Sequence, residues 1–294
     1  MAIVFIHSGY SPYLEFSLRQ ARAADPDADI VLLGDAENDR FPFLRHVDAT
    51  APAYREAVRP FAEVFRHLST NRYAFEFGNF RRWFWLRTFV EADGLEDALV
   101  LDSDVMLYVR EEELRRRWLS GKAFGVCLPA SQPPYRWTAS PHVSYWPRET
   151  VHAFCDYVVT SYTDPRVFRL YEEKWQHHLD HGLYGGITDM TQLYRFAQEQ
   201  PANAVANFVQ VVDGATCDRN LNLAENEWPE EYRMERGYKA LTWEGGRPYG
   251  FNTRLDRPVR FLALHCQGAA KGQMGTYYKS TSTMSVYRIG TKPS

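Results

Sequence analysis

Two short segments of this 294-residue chain put chemistry-bearing side chains at the ends of apolar runs. In the first, Ala98-Leu99-Val100-Leu101 leads into Asp102-Ser103-Asp104. A strand ending there projects both carboxylates toward the carboxyl edge of a sheet, where α/β proteins bind ligands. Two hard oxygen donors suit Mn²⁺ or Mg²⁺, although two aspartates after a strand are equally an ordinary turn. In the second segment, residues 259–266 (VRFLALHC) run into Gln267-Gly268-Ala269-Ala270-Lys271. His265 is able to complete a metal shell begun by the carboxylates, Gly268 lets backbone approach a phosphate, and Lys271 offers that phosphate a point charge. Taken singly, these are also a histidine at a strand end and a surface lysine.

Taken together and in this order, the aliphatic strand with D-x-D and the later H-x-x-G-x-x-K (His265, Gly268, Lys271) resemble the retaining GT-A glycosyltransferases. The likeness is to the glycogenin and bacterial lipooligosaccharide galactosyltransferase group, and it spans roughly residues 1–275. The resemblance implies that Asp102, Asp104 and His265 hold Mn²⁺ or Mg²⁺, which takes both phosphates of a nucleoside-diphosphate sugar. It places Ser103, Gly268 and Lys271 on the donor, with a basic residue from the helix before the D-x-D. Arg82 is the choice for that helper, with Arg81 and Arg87 as competitors and a solvated basic face as the bland alternative. It also implies that Asp189 and Gln192 contact the reacting sugar as catalytic residues. Asp189-x-x-Gln192 is equally capping-box spacing, with Asp189 as N-cap and Gln192 reaching back.

The elements that must position these residues are legible as apolar patterns. Residues 3–7 (IVFIH) form a strand, Ser11-Pro12 reads as N-cap and first helical residue, and LEFSLRQARAA as an amphipathic helix. Residues 29–35 (DIVLLGD) form a second strand, so the chain opens with a parallel βαβ unit. Ligands beyond its strand ends meet Ser8, Gly9 and Asp35. Residues 40–78 carry no clear pattern. Asn79 reads as the N-cap of a helix stopped at Asp93-Gly94. Residues 140–146 (SPHVSYW) read as a strand feeding the helix RETVHAFCDYVVTSY, and Gly185-Gly186 precedes a helix carrying Met190, Leu193, Tyr194 and Ala197 inward. The expected fold is one α/β GT-A domain, a mixed and mostly parallel sheet flanked by helices, over residues 1–278, with a polar tail at 279–294.

Composition narrows the partners. Lys+Arg 34 against Asp+Glu 37 gives a formal charge of -3, which lacks the basic footprint of nucleic-acid or anionic-membrane binding. No apolar stretch approaches the roughly 20 residues of a membrane helix, and MAIVFIHSGY has no basic region ahead of its apolar run. Cys127, Cys155, Cys217 and Cys266 form no CxxC, so reduced thiols and a cytoplasmic location are expected. Aromatic residues reach 15%, and Trp137 and Trp146 are the candidates for stacking on an acceptor sugar. His142 and Ser144 lie where donor or acceptor sits, or on an inward strand face. His177, His178 and His181 read as a wet helix face rather than a metal site.

The function expected is metal-dependent, retaining transfer of a sugar from a UDP-sugar to a saccharide or glycoconjugate acceptor. Two alternatives stand beside it. A haloacid-dehalogenase-type phosphotransferase also ends a strand in D-x-D, but near its N-terminus and followed by Thr or Val where Met106 stands here. A non-catalytic sugar-nucleotide or glycan-binding module is the other, although Asp102, Asp104, His265 and Lys271 are all present. Nucleotidyltransferases are disfavoured for want of a Gly-rich loop after the first strand.

Overall fold

The computed structural model describes residues 1–201 and 203–280, so all of the expected tail beyond Ser280 lies outside the described residues. The elements run β1 (Ala2–Ile6), α1 (Leu14–Ala24), β2 (Ile30–Gly34), β3 (Arg45–Asp48), α2 (Pro52–Val64), α3 (Tyr73–Ala92), β4 (Asp97–Leu101), β5 (Val105–Leu107) and α4 (Glu111–Leu114). They continue with β6 (Phe124–Cys127), β7 (Ser140–Pro147), α5 (Arg148–Thr163), α6 (Pro165–Asp180), α7 (Asp189–Gln198), β8 (Val205–Asn207) and β9 (Ala215–Cys217). The last are β10 (Met234–Glu235), β11 (Tyr238–Lys239), β12 (Leu241–Glu244), β13 (Arg247–Asn252), β14 (Arg257–His265) and α8 (Met274–Tyr277).

A seven-stranded sheet has the order β3-β2-β1-β4-β7-β6-β8. β3, β2, β1 and β4 are parallel, β7 runs against β4 and β6, and β8 is parallel to β6. The expected mixed, mostly parallel sheet is therefore present. Strand alternation divides the core between its two faces. Val4, Val31 and Val100 join a cluster with α2, α3 and α5, whereas Phe5, Leu32 and Leu101 join one with α1. On the first face Trp83, Phe124, Trp146 and Phe154 are mutually packed, with ring centroids 4.8 to 5.3 Å apart. Such ring pairs add about 0.5–1.5 kcal/mol each beyond area burial.

A second sheet, β12-β13-β14-β5 with β9 also paired to β14, takes over where the first ends. The chain leaves β4, turns through Asp102-Ser103-Asp104 and enters β5. β14 runs antiparallel to β5 with His265 opposite Val105. That register, closed by the Cys266 amide donating to the Asp104 carbonyl at 2.9 Å, sets the second motif against the first across 160 residues of chain.

Three helix starts differ from the sequence expectation. Helix α3 begins at Tyr73, leaving Asn79 inside it. Tyr73, Phe77, Phe80 and Phe84 continue one apolar face back through Gly78, and an Asn caps only a helix that has not yet begun. Ser11 is not a cap either: its carbonyl accepts from Leu14 in a turn, and α1 starts at Leu14. The capping box of α7 is Thr188 with Thr191, one residue before the expected pair, which frees the Asp189 side chain. The unassigned stretch 40–78 holds β3 and α2, the latter with Pro52 in its first turn, where no amide partner is needed.

Candidate active site

Asp102, Asp104 and His265 converge: one donor atom from each lies within 4.8 Å of the others, and Asp104 and His265 are buried. Among the described residues this is the one such group of His, Cys, Asp and Glu. His265 Nε2 is 3.5 Å from Asp104 Oδ1, and Lys271 Nζ is 3.2 Å from Asp104 Oδ2. Gly268, at φ +57°, turns the chain out of β14 into the short 3₁₀ segment that carries Lys271 back over the site. The Lys271 ammonium also lies 4.9 Å above the Tyr13 ring.

The tautomer of His265 follows from its neighbours. Nδ1 is 2.7 Å from the Arg219 carbonyl, which accepts only, so Nδ1 carries a proton and Nε2 faces the carboxylates. The ring is stacked on His142, centroids 4.1 Å apart. His142 is buried and engaged at both nitrogens, with the Asp218 carbonyl at 2.9 Å and Ser140 Oγ at 2.8 Å. It supports His265 from behind rather than reaching a ligand.

Of the three arginines, Arg82 is the one that reaches the cluster. Its Nη1 donates to Asp102 Oδ1 at 2.7 Å and its Nη2 to Asp189 Oδ2 at 2.5 Å. Arg87 pairs instead with Asp156 at the surface. Arg81 lies over the Trp85 ring and donates to Ser8 Oγ at 3.3 Å. Asp189, almost fully buried, also accepts from Trp83 Nε1 at 3.2 Å, so the first turn of α7 is fastened to α3. Asp35 turns inward at the end of β2 and accepts the Gly9 amide at 2.6 Å, holding the loop after β1. The Ser103 carbonyl accepts from Ser17 of α1 at 2.5 Å.

Burial pushes the Asp102 carboxyl above its usual range despite Arg82. Burial also works against charge on Asp104, but the hydrogen bonds and charges of His265 and Lys271 outweigh it and hold that carboxyl well below the usual range. For His265, burial opposes protonation and the Asp104 carboxylate more than offsets it, so its pKa is raised. Three carboxylates thus face Arg82 and Lys271, leaving one negative charge in excess when His265 is neutral. Two carboxylates and an imidazole whose bonding nitrogen is already aimed fit a hard divalent cation such as Mn²⁺ or Mg²⁺.

Other expected residues lie elsewhere. Gln192 is buried in the helical layer, where its Oε1 accepts from Ser161 of α5 at 2.8 Å. Trp146 is fully buried in the aromatic core, with its indole N–H donated to Ser144, so neither reaches an acceptor sugar. Trp137 is half-buried at a backbone φ of +36°, with the Arg195 guanidinium 5.2 Å from its ring. His177 and His178 lie in the last turn of α6 with His181 at its cap; His177 and His178 are half-buried, His177 against the Tyr135 ring with centroids 4.9 Å apart, and only His181 is exposed, so the wet-face reading holds for His181 alone.

Four residues around the cluster were not singled out in the sequence. His7, at the end of β1, is buried enough to lower its pKa against the pull of Asp35. The strand-end rule that indicated Ser8 and Gly9 extends to it. Tyr13 lies under Lys271, and Asp218-Arg219 brace His265. No local pattern marks these.

No family model and no curated protein sequence matches the chain. The chain is similar to glycosyltransferases of known structure. The galactosyltransferase LgtC in complex with donor and acceptor sugar analogues is 14% identical, with 98% of each chain covered and a TM-score of 0.46. An active-site mutant of LgtC is 17% identical over 94% of this chain and 95% of its own, with a TM-score of 0.47. Mouse xyloside xylosyltransferase 1 in its apo form is 11% identical over 70% of this chain and 84% of its own, also at 0.47.

Proposed function

We propose that the chain is a metal-dependent glycosyltransferase that moves a sugar from a UDP-sugar to a saccharide or glycoconjugate acceptor with retention of configuration. The observation that carries this is the convergence of Asp102, Asp104 and His265, closed on either side by Arg82 and Lys271. A sugar leaves its nucleotide only as fast as the diphosphate can accept negative charge, and a bound Mn²⁺ or Mg²⁺ supplies Lewis-acid stabilisation of that charge.

The chain's own residues do the rest. Asp102, Asp104 and His265 Nε2 would hold the cation, with His265 binding as the neutral imidazole. Lys271, whose ammonium lies 3.2 Å from Asp104 at the mouth of the cluster, would offer its charge to a phosphate oxygen. Arg82 keeps Asp102 and Asp189 in fixed orientation, and Asp189, almost fully buried at the start of α7, would act on the donor sugar through the guanidinium it holds. With a divalent cation and a neutral His265 the cluster would carry one net positive charge, which suits a diphosphate. Retention follows the likeness of the His265–Lys271 motif. Among the described residues no helix is long and apolar enough to cross a membrane. All four cysteines are buried and free, which fits a cytoplasmic setting.

The test is incubation with a panel of sugar nucleotides and Mn²⁺ while UDP and GDP release are followed. A UDP-sugar should be turned over, and Asp102→Asn and Asp104→Asn should each be silent. Hydrolysis of simple phosphate esters instead would support the phosphotransferase, and nucleotide binding without turnover of any donor the binding module. NMR of the product's anomeric proton reads the stereochemistry.

A further inference from the structure

His265 owes its orientation to a segment far from either motif, the loop 218–226. Asp218 Oδ2 accepts the His265 amide at 3.0 Å, the Arg219 carbonyl accepts its Nδ1–H, and the Asp218 carbonyl accepts Nε2–H of the stacked His142. On the side away from the carboxylates, the hydrogen bonds of His265 end on Asp218-Arg219, and so does one of those holding the ring behind it, whose Nδ1 meets Ser140. What holds those two residues is Lys239 of β11. Its ammonium, with a side chain of 0% exposure, donates to Asp218 Oδ1, to the Asn220 carbonyl at 3.2 Å, to the Glu225 carbonyl at 3.1 Å and to Asn226 Oδ1 at 3.2 Å. Asn226 Oδ1 accepts the Arg219 amide at 2.7 Å in turn. The loop is therefore wrapped around one buried cation that takes no direct part in the cluster.

A fully buried ion pair contributes little net stability, because desolvation consumes most of its Coulombic gain. Its directional bonds, in contrast, leave the loop one arrangement. We infer that Lys239 is a positioning residue for the metal ligand: through Asp218 and Arg219 it fixes the tautomer and direction of His265. This rests on the proposed cation at Asp102, Asp104 and His265, and outer partners of metal-ligating histidines typically carry about 10- to 100-fold in metal affinity.

The experiment compares Lys239→Met and the double variant Asp218→Asn/Lys239→Met with the parent protein. The double variant removes the carboxylate that Lys239→Met would leave buried and unpaired, so it serves as the test if the single change fails to fold. Two readouts are taken: Mn²⁺ affinity by calorimetry, and the ¹⁵N spectrum of the His265 ring in metal-free protein. Val259→Ala, a buried truncation in the same strand, controls for lost stability. The expected result is Mn²⁺ affinity at least tenfold weaker and a mixed His265 tautomer in the Lys239 variants, with both readouts at parent values in Val259→Ala. Folded Lys239 variants with parent Mn²⁺ affinity and a fixed Nδ1–H would overturn the inference, as would an equal loss in Val259→Ala. If the parent protein itself binds no Mn²⁺, the proposed metal site fails, and the ring spectrum alone decides the role of Lys239.

Discussion

Replacing Arg82 with Met tests the electrostatic frame of the site. The guanidinium side chain is 17% exposed and sits between Asp102, 28% exposed, and Asp189, 3% exposed. It makes one charge-assisted hydrogen bond to each, and such bonds contribute about 1.5–3 kcal/mol net. Removing the shared cation leaves two carboxylates facing each other with no counter-charge, and breaking a buried ion pair in this way costs about 3–5 kcal/mol. The solvent reaching Asp102 moderates its share, so the larger part falls on Asp189. Arg82→Met is therefore expected to lower the unfolding free energy in urea by about 3 kcal/mol. Asp189→Asn in the Arg82→Met background should recover at least about 1 kcal/mol of that, because the neutral amide no longer suffers an unpaired buried charge. A loss within about 0.5 kcal/mol, as at an ordinary surface position, would refute this reasoning, and so would strict additivity of the two changes.

Other outcomes follow from the same contacts. For His265 the folded pKa lies above its ordinary value of 6.5, so its stabilising share is complete below about pH 6.5 and is lost as pH rises through the folded pKa; metal-free protein should lose stability there, and Asp104→Asn should flatten that slope in pH-dependent melts. For Asp104 the sign is opposite: its share is present above the ordinary carboxyl value of 3.8 and disappears as pH falls toward its depressed folded pKa. Mn²⁺ ligation needs the neutral imidazole, so calorimetry in buffers of different ionisation enthalpy should show proton release on binding at and below pH 6.5, where the raised pKa keeps the metal-free imidazole protonated. Trp146→Ala should cost about 3–5 kcal/mol by chemical denaturation, as for a large buried aromatic ring, and leave the acceptor KM of the surviving folded protein at its parent value.

The strands that matter most were legible as uninterrupted aliphatic runs. β1, β2, β4 and β14 fall within two residues of their expected limits, and β7 starts where expected, because strands buried on both faces carry no competing polar signal. The cluster of Asp102, Asp104 and His265 was legible for a related reason, since these residues stand at the ends of such runs, and Lys271 through its spacing from His265. Helix starts were less so. Asn79, Ser11 and Asp189 all look like caps, yet capping is decided by where the apolar face begins and by which hydroxyl reaches the amides, as Thr188 does for α7. Trp146 was misplaced because a tryptophan has the same composition whether it fills a core or lines a cleft. Lys239, Asp218 and Arg219 were invisible for a third reason. Asp218 stands 21 residues from Lys239 and 47 from His265, and nothing local in the stretch 218–226 marks such distant partners.

The most direct measurement is titration calorimetry of UDP against the protein with and without Mn²⁺, repeated for Asp104→Asn. Diphosphate binding through a cation held by Asp102, Asp104 and His265 predicts tight UDP binding only when Mn²⁺ is present, and loss of that gain in Asp104→Asn. UDP binding of equal strength with and without Mn²⁺, or a metal-dependent gain that survives in Asp104→Asn, would contradict it.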